Sequence, residues 1–384
     1  MTGAGTSIAL RYLQRRALLL SLIPLGLLFA LTVTLARTYH AREEGLVQEW
    51  FQKGNEDLAT GQPGRAFEDF RNSLSYEPNN DLVQLRLAEA LLADGRLSES
   101  RAYLVNLWDR SPGSGEVNLD LAHISSRMGD PEQAIPYYRA AIYGSWAGDA
   151  VGQRRKVRFE LCEFLLSRNL LSDAGVEIAA LSAELSPGEA IQHEQAGQLF
   201  LKDAQPGKAL EEFEVALQAN PRQNQWFEEA GKAAFDSGSY LKAEAYLAKV
   251  SPENLSGPDS ELLDRVREVL SDDPFRQGLN EDERAQRTWH DFQAGLDRLQ
   301  KCSQSSASLL SADQTAAVQD LNRDAQSAKK QIQLRALRTN PELRISAMKL
   351  IYQIENTTSH YCGEATSIDQ ALILIQQRHA GNDQ

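Results

Sequence analysis

From Val47 onward the chain repeats itself about every 34 residues, which leaves few architectures open to it. Each repeat carries an early small residue, and consecutive ones lie 34, 34, 40, 35 and 34 positions apart: Gly54, Ala88, Ala122, Cys162, Gly197 and Gly231. A second small residue follows twelve positions later: Ala66, Ser100, Ala134, Ala174, Ala209 and Ala243. Four positions further on comes a large apolar residue: Phe70, Leu104, Tyr138, Ile178, Phe213 and Leu247. Such a period predicts one supersecondary unit stacked on copies of itself.

The residue types indicate two antiparallel helices per repeat, because apolar residues recur at helical spacing within each half. Glycine supplies the turn between the helices, since it leaves a helix through positive φ at little cost. The small residues allow the helices to cross closely, and the large residue is predicted to fill the gap to the neighbouring repeat. Proline ends the second helix where it follows Glu77, Ser111, Ser186, Asn220 and Ser251. The predicted turn glycines are Gly61, Gly95, Gly129 and Gly238.

This helix–turn–helix pattern resembles the tetratricopeptide-repeat (TPR) family over residues 47–254, in six repeats. The third repeat departs from the pattern, with Trp146 in place of proline and about six extra residues after it. The resemblance implies an all-α helical solenoid. Residues 255–272 then read as a capping helix with one polar face, which a solenoid end requires.

The N-terminal segment Ala17–Ala36 contains 20 residues and no charge. As a helix it spans about 30 Å, the thickness of a hydrocarbon core. We therefore predict a single transmembrane helix at 17–36. Arginines at 11, 15 and 16 place residues 1–16 in the cytoplasm by the positive-inside rule. The body is then exported, and we expect a bacterial inner-membrane protein with its body in the periplasm.

Two other interpretations of this segment stay open. It is rather long for a cleaved signal peptide, and Thr34-Leu35-Ala36 is a poor cleavage site. A buried core helix is disfavoured because the segment has no polar face. Retention and cleavage are therefore both compatible with the sequence.

The region 280–380 does not continue the repeat and resembles no family. Its apolar spacing and Pro341 predict a bundle of four helices. Their expected bounds are Glu281–Cys302, Ser311–Leu337, Pro341–Ser359 and Ser367–His379.

The three cysteines show no metal-ligand spacing. Antiparallel packing would bring Cys302 and Cys362 together, so a disulfide between them is one interpretation, and an exported body would permit it. Two unrelated thiols are the other. Cys162 reads as a small buried residue.

Charge and motifs favour binding over chemistry. The net charge is −13, and residues 43–279 alone carry 40 acids and 23 bases, a balance of −17. A nucleic-acid partner is therefore not expected, because phosphate binding needs a basic surface. No nucleophile, metal or phosphate-binding motif is present in the sequence. We predict no enzyme activity, no cofactor and no metal.

The family resemblance implies that the first helices line the concave binding side, through residues three before and four after each early small residue. The resulting candidate face is mostly apolar, although packing alone would also explain its apolar character. Asn55 fits a carboxylate-gripping pattern of the family, but Phe51 stands where that pattern needs lysine. The candidate face comprises Phe51, Asn55, Leu58, Leu85, Leu92, Leu119, Phe159, Leu166, Leu201 and Phe235.

The predicted function is a membrane-anchored scaffold that binds proteins or peptides and helps to assemble an envelope complex. A translocon-associated, holdase-like chaperone for exported chains is an alternative. A non-catalytic subunit of an envelope enzyme is a third.

Overall fold

A computed structural model describes residues 5–305, 310–363 and 366–382, with side chains described from 24 to 304, 310 to 363 and 366 to 378. Helices dominate the described residues, which contain no strand, so the all-α prediction is confirmed. The helices are α1 (Gly5–Ala59), α2 (Pro63–Tyr76), α3 (Asp81–Ala93), α4 (Leu97–Arg110), α5 (Gly115–Arg127), α6 (Pro131–Tyr143), α7 (Ala150–Ser167), α8 (Leu171–Glu184), α9 (Ala190–Lys202), α10 (Pro206–Ala219), α11 (Asn224–Asp236), α12 (Tyr240–Leu247), α13 (Gly257–Asp272), α14 (Glu281–Ser305), α15 (Ala312–Ala328), α16 (Leu334–Thr339), α17 (Pro341–Tyr361) and α18 (Ser367–Asn382).

The chain divides into two compact units, residues 1–161 and 162–384. We call them the N-terminal and C-terminal units and describe each by itself. The division falls inside α7, in the fourth repeat, whereas the sequence placed a domain boundary after residue 254. Five repeats pair their two helices in chain order: α1 with α2, α3 with α4, α5 with α6, α9 with α10, and α11 with α12.

Glycines make the turns of four repeats, as predicted. Gly61, Gly95, Gly129 and Gly238 have φ between 73° and 79°. The fourth and fifth repeats make the same turn without glycine, through Asn169 at φ 57° and Ala204 at φ 54°. Asparagine tolerates this region, but alanine is strained there because its Cβ crowds the backbone.

The early small residue is matched to the large residue of its own repeat. A Cβ added to Gly54 would lie 2.6 Å from the Phe70 ring, and one added to Gly197 would lie 2.7 Å from the Phe213 ring. Phe70 also belongs to a cluster with Val83 and Leu87 of the next repeat. The prediction that the large residue fills the gap between repeats is therefore incomplete, because the same ring also covers the glycine of its own repeat.

The insertion in the third repeat is held by backbone pairing and one aromatic ring. Ser145 N–H donates to Gly113 O at 2.8 Å, and Gly115 N–H donates to Ser145 O at 2.8 Å. Trp146 covers Gly115, where any Cβ would meet the indole, and its Nε1 donates to Ala141 O at 2.8 Å. Trp146 thus closes the end of α6 where other repeats use proline.

The described residues of the C-terminal region form five helices rather than the predicted four. The expected helix at 311–337 is divided into α15 and α16, because Ile332 is buried between them and Gln333 has extended backbone. Pro341 opens α17, and Asn340 caps it by accepting from Leu343 N–H at 3.1 Å.

Buried charges and a disulfide join α14 to the end of the chain. Arg298 of α14 pairs with Asp369 of α18, donates to Thr358 Oγ1 at 2.7 Å and lies 3.5 Å from Glu355 Oε2. Cys302 and Cys362 are joined by a disulfide with Cα atoms 5.3 Å apart. Ion pairs, a hydrogen bond and a disulfide that follow no repeat therefore link the helices of this bundle.

The N-terminal helix α1 runs without interruption from the apolar segment into the first repeat. Within the described part of the chain, no helix has the length and apolar character needed to cross a membrane. The predicted anchor at 17–36 lies partly outside the described side chains, which start at residue 24. Of the predicted cytoplasmic stretch 1–16, residues 1–4 lie outside the described residues, and the side chains of 5–16 are not described.

Candidate binding face on the first helices

The first helices of the repeats share a polar stripe that the apolar candidates do not include. The positions two before and one after each early small residue are three apart, so they lie on one helix face. All twelve carry polar side chains, and we call them the polar row. Its members are Gln52, Asn55, Arg86, Glu89, Asp120, His123, Glu160, Glu163, Gln195, Gln198, Glu229 and Lys232.

Every residue of the polar row keeps part of its surface exposed. None of its twelve residues is buried, whereas their neighbours on the opposite side of each helix are. Leu87 and Leu121, for example, are 0% and 1% exposed. The repeats therefore turn their apolar face inward and leave this polar face to solvent.

In the N-terminal unit the row forms ion pairs along and between first helices. Arg86 Nη1 lies 2.6 Å from Glu89 Oε2 on α3. His123 Nε2 of α5 lies 2.9 Å from Glu160 Oε2 of α7. Asp120 is different, because its Oδ2 is buried and has no hydrogen-bond partner.

Burial raises the pKa of two carboxyl groups in this part of the row. The pKa of Glu89 is raised by burial against the opposing effect of Arg86. The pKa of Asp120 is held well above its usual range by burial and then by the nearby charge of Glu89. These two acids crowd one another without enough positive charge to balance them, so an added cation would stabilise their charged forms.

The C-terminal unit repeats this arrangement. Gln198 Nε2 donates to Glu229 Oε1 at 3.2 Å, and Gln225 Nε2 donates to the same oxygen at 3.1 Å. Glu229 Oε2 is buried without a hydrogen-bond partner. Burial raises the pKa of both Glu194 and Glu229. Lys232, at 2.8 Å from Asp259, is already paired with the capping helix α13.

The apolar candidates occupy a more protected position than expected. Leu85 and Leu92 are 6% and 7% exposed and belong to a core cluster with Leu104 and Leu121. Phe51 and Leu58 pack against the cluster that contains Phe70. Packing alone thus accounts for Leu85 and Leu92. The remaining candidates are half-buried: Phe51, Asn55, Leu58, Leu119, Phe159, Leu166, Leu201 and Phe235.

Only Asn55 is shared between the apolar candidates and the polar row. The row was recognisable from the sequence, because polar residues recur two positions before and one position after the early small residue in every repeat. The hydrogen-bond partners of the polar row, and its unpaired oxygens, depend on how neighbouring first helices cross. The spacing of residues in the sequence does not predict that crossing. Chemically, the row offers carboxylates on half-buried residues, and these carboxylates can accept hydrogen bonds from lysine or arginine.

Comparisons with known proteins concern the repeats. Three family profiles described as tetratricopeptide repeat match residues 57–107, 115–143 and 195–253. No curated protein matches the chain in sequence.

Among solved structures the chain is similar to PilW, described as a widely conserved type IV pilus biogenesis factor. The identity is 17% over 58% of this chain and 98% of that chain, with a TM-score of 0.38. YrrB, described as a TPR protein with an unusual peptide-binding site, is 17% identical over 46% of this chain and 88% of that chain, at a TM-score of 0.33. A tetratricopeptide repeat protein from Parabacteroides merdae is 13% identical over 73% of this chain and 99% of that chain, with a TM-score of 0.38. At these scores none of the three informs on what this chain binds.

Proposed function

Because this chain is a tetratricopeptide-repeat protein, we propose that it is a membrane-anchored scaffold that binds a basic segment of a partner protein. The segment lies along the part of the polar row that belongs to one unit. Tethering raises the effective concentration of weakly bound partners at the membrane, which suits assembly of an envelope complex.

The observation that carries this proposal is a pair of unsatisfied carboxylate oxygens. Asp120 Oδ2 in the N-terminal unit and Glu229 Oε2 in the C-terminal unit are buried without hydrogen-bond partners. A buried acceptor left unpaired is costly, roughly 1–3 kcal/mol and more for a charged group. A lysine or arginine of the partner would supply the missing donor at each site.

Apolar side chains beside the row add a second requirement for the partner. Phe51, Phe159 and Phe235 are half-buried, so part of each residue stays open to contact. Phe51 already packs against Phe70, with ring centroids 5.9 Å apart. A segment that alternates basic and apolar side chains would meet both kinds of contact.

The membrane anchor at 17–36 is supported by the exposure of its described part. Leu25, Leu27, Phe29 and Leu35 are 61% to 70% exposed on α1. A continuous apolar helix surface of this kind is unfavourable in water and favourable in lipid. We propose that α1 carries the chain through a bacterial inner membrane and directly into the first repeat.

The proposed location of the body is the periplasm. Arginines precede the apolar segment at positions 11, 15 and 16, which favours a cytoplasmic N-terminus. The disulfide between Cys302 and Cys362 suits an oxidising compartment. Alkaline extraction of membranes should leave the chain in the pellet, with residues 1–36 present by mass spectrometry. Release of a shortened chain would contradict the anchor.

The binding proposal is tested by neutralising the two unsatisfied acids. We expect Asp120→Asn and Glu229→Gln each to weaken partner binding about tenfold, the loss of one charged hydrogen bond. The measurement is quantitative pull-down of crosslinked partners from native membranes. Asp109→Asn on α4 and Glu211→Gln on α10 are matched controls, because both residues are exposed on second helices.

The outcomes separate the scaffold from the chaperone. A few stoichiometric partners, lost in the row variants and kept in the controls, support the scaffold. Equal binding by all four variants contradicts the polar row. Weak capture of many unfolded exported chains, unaffected by the row variants, would favour a holdase.

A further inference from the structure

Three side chains with metal-binding donors meet where α13 and α14 come together. Asp272 is the last residue of α13, and His290 and Asp291 are neighbours on α14. One donor atom from each lies within 4.8 Å of the other two. No motif in the sequence joins these positions, because their proximity depends on how the two helices pack.

Asp291 marks this cluster as more than a chance meeting of polar groups. Its side chain has no solvent exposure, and its Oδ2 has no hydrogen-bond partner. A carboxylate removed from water needs a compensating partner, and its one ion pair is to the exposed His290, whose Nδ1 lies 3.4 Å from Oδ1. A bound cation would supply the counter-charge that this buried carboxylate lacks.

The backbone around the cluster is held firmly. Arg287 Nη1 donates to Leu270 O at 2.7 Å and to Asp273 O at 3.0 Å, so it ties the end of α13 to α14. Ser271 Oγ donates to Asp272 Oδ1 at 3.1 Å and orients that carboxylate. Partners of this kind fix ligand geometry in metal sites. The C-terminus of α13 also adds partial negative charge, which favours a cation.

The spacing of the donors suits a small metal ion. Ligand atoms around tetrahedral zinc, with bonds of about 2.1 Å, lie roughly 3.4 Å apart. His290 Nδ1 and Asp291 Oδ1 already have that separation. Rotation of the half-buried Asp272 side chain would bring in the third ligand.

The donor set selects among metals. One imidazole nitrogen with two carboxylates suits zinc and other first-row transition metals, whereas magnesium and calcium prefer oxygen alone. We propose that Asp272, His290 and Asp291 bind a divalent transition-metal ion, best matched by Zn²⁺, which joins α13 to α14. Three protein ligands leave the fourth position of a tetrahedral ion to water.

The test is a zinc titration of the full-length protein in detergent, with a chromophoric chelator as competitor. The wild type should bind one equivalent of Zn²⁺, and Ca²⁺ or Mg²⁺ should not displace it. His290→Ala should weaken zinc binding at least tenfold. Its side chain is 61% exposed, so the substitution leaves the fold intact. Asp291→Asn should have an equal or larger effect.

His360→Ala is the matched control, since His360 is an exposed histidine on α17. Its zinc affinity should equal that of the wild type. The proposal is overturned if the wild type binds no stoichiometric zinc, or if His290→Ala and His360→Ala bind it equally well. Preference for Ca²⁺ over Zn²⁺ would also overturn it. Thermal unfolding gives a second readout, because zinc should raise the melting temperature of the wild type and not that of His290→Ala.

Discussion

The repeats and the C-terminal bundle α14–α18 are both helical, but they are stabilised by different means. In the repeats one device recurs: a small residue on the first helix lies under a large residue of the second, as Gly197 lies under Phe213. In the bundle, single contacts without any period hold the helices, chiefly the Arg298 ion pairs and the disulfide. A recurring device can be recognised from sequence, whereas a unique one becomes visible only when the helices are in place.

The largest effect is expected from removing the buried cation of the bundle. Arg298→Met would leave the buried Asp369 carboxylate without its counter-charge, so we expect a loss of roughly 3–5 kcal/mol in bundle stability. Hydrogen exchange with mass spectrometry resolves the bundle from the repeats. Arg323→Met is the control, because its pair with Asp320 is exposed and contributes little. Similar protection in both variants would show that the ion pairs do not hold the bundle.

Opening the disulfide should have the next largest effect. Cys302 and Cys362 are 60 residues apart, and Cys302→Ser should cost roughly 2–4 kcal/mol by freeing the unfolded chain. Urea unfolding of the wild type with reductant should match that of the variant without it. A wild type whose unfolding is insensitive to reductant would contradict the linkage.

Glycine replacement should separate the two regions directly. Gly197→Ala forces the buried Phe213 ring to shift and should cost about 1–3 kcal/mol. Gly295→Ala in α14 should be neutral or stabilising, because its Cβ would make only ordinary contacts at 3.6 Å and alanine favours helix. Gly207→Ala in α10, with open space around it, controls for the fifth repeat. Equal losses of unfolding free energy in Gly197→Ala and Gly295→Ala would contradict the view that the repeats and the bundle are packed by different means.

The pH dependence of the bundle gives a smaller effect. Burial, and then the charge of Asp369, raises the pKa of Glu355 from 4.5 to about 8. The folded bundle therefore keeps a proton that the unfolded chain releases, and its stability falls as pH rises from about 4.5 to 8. Glu355→Gln should flatten this fall in melting experiments at pH 5 and pH 8. The raised pKa values of the acids in the polar row also lower stability as pH rises. If Glu355→Gln leaves the pH dependence of stability unchanged, the effect therefore comes from the repeats.

The smallest effect concerns the strained turn of the fifth repeat. Ala204 has φ 54°, and Ala204→Gly should stabilise the repeats by up to about 1 kcal/mol. Gly238→Ala is the reciprocal change in the sixth repeat and should destabilise by a similar amount. Chemical denaturation measures the free energy of unfolding of both variants. A loss on Ala204→Gly would mean that the turn is not strained.

The sequence predicted the repeats because their packing depends on residues at fixed spacing. It identified the turn glycines, but it did not reveal that Asn169 and Ala204 adopt the same backbone. In the bundle it predicted helices around Pro341 correctly and missed the break at Ile332, where tertiary burial overrides helical preference. The Asp272–His290–Asp291 cluster was invisible for the same reason.

The candidate face was only partly accessible to prediction. The family resemblance predicts a binding face three positions before and four after each small residue. Two of those residues, Leu85 and Leu92, are buried in the core. The positions at two before and one after carry the accessible polar groups. Apolar character at these positions fits packing as well as binding, and at Leu85 and Leu92 the structure shows packing.

Site-specific photocrosslinking in native membranes tests the polar row most directly. A photoreactive residue at Gln195, an exposed member of the row on α9, is compared with one at Glu211, exposed on α10. If the row binds partners, Gln195 should give a few defined adducts that disappear in the Glu229→Gln background, and Glu211 should give none. Equal adducts from both positions, or adducts from Glu211 alone, would contradict a binding face on the first helices.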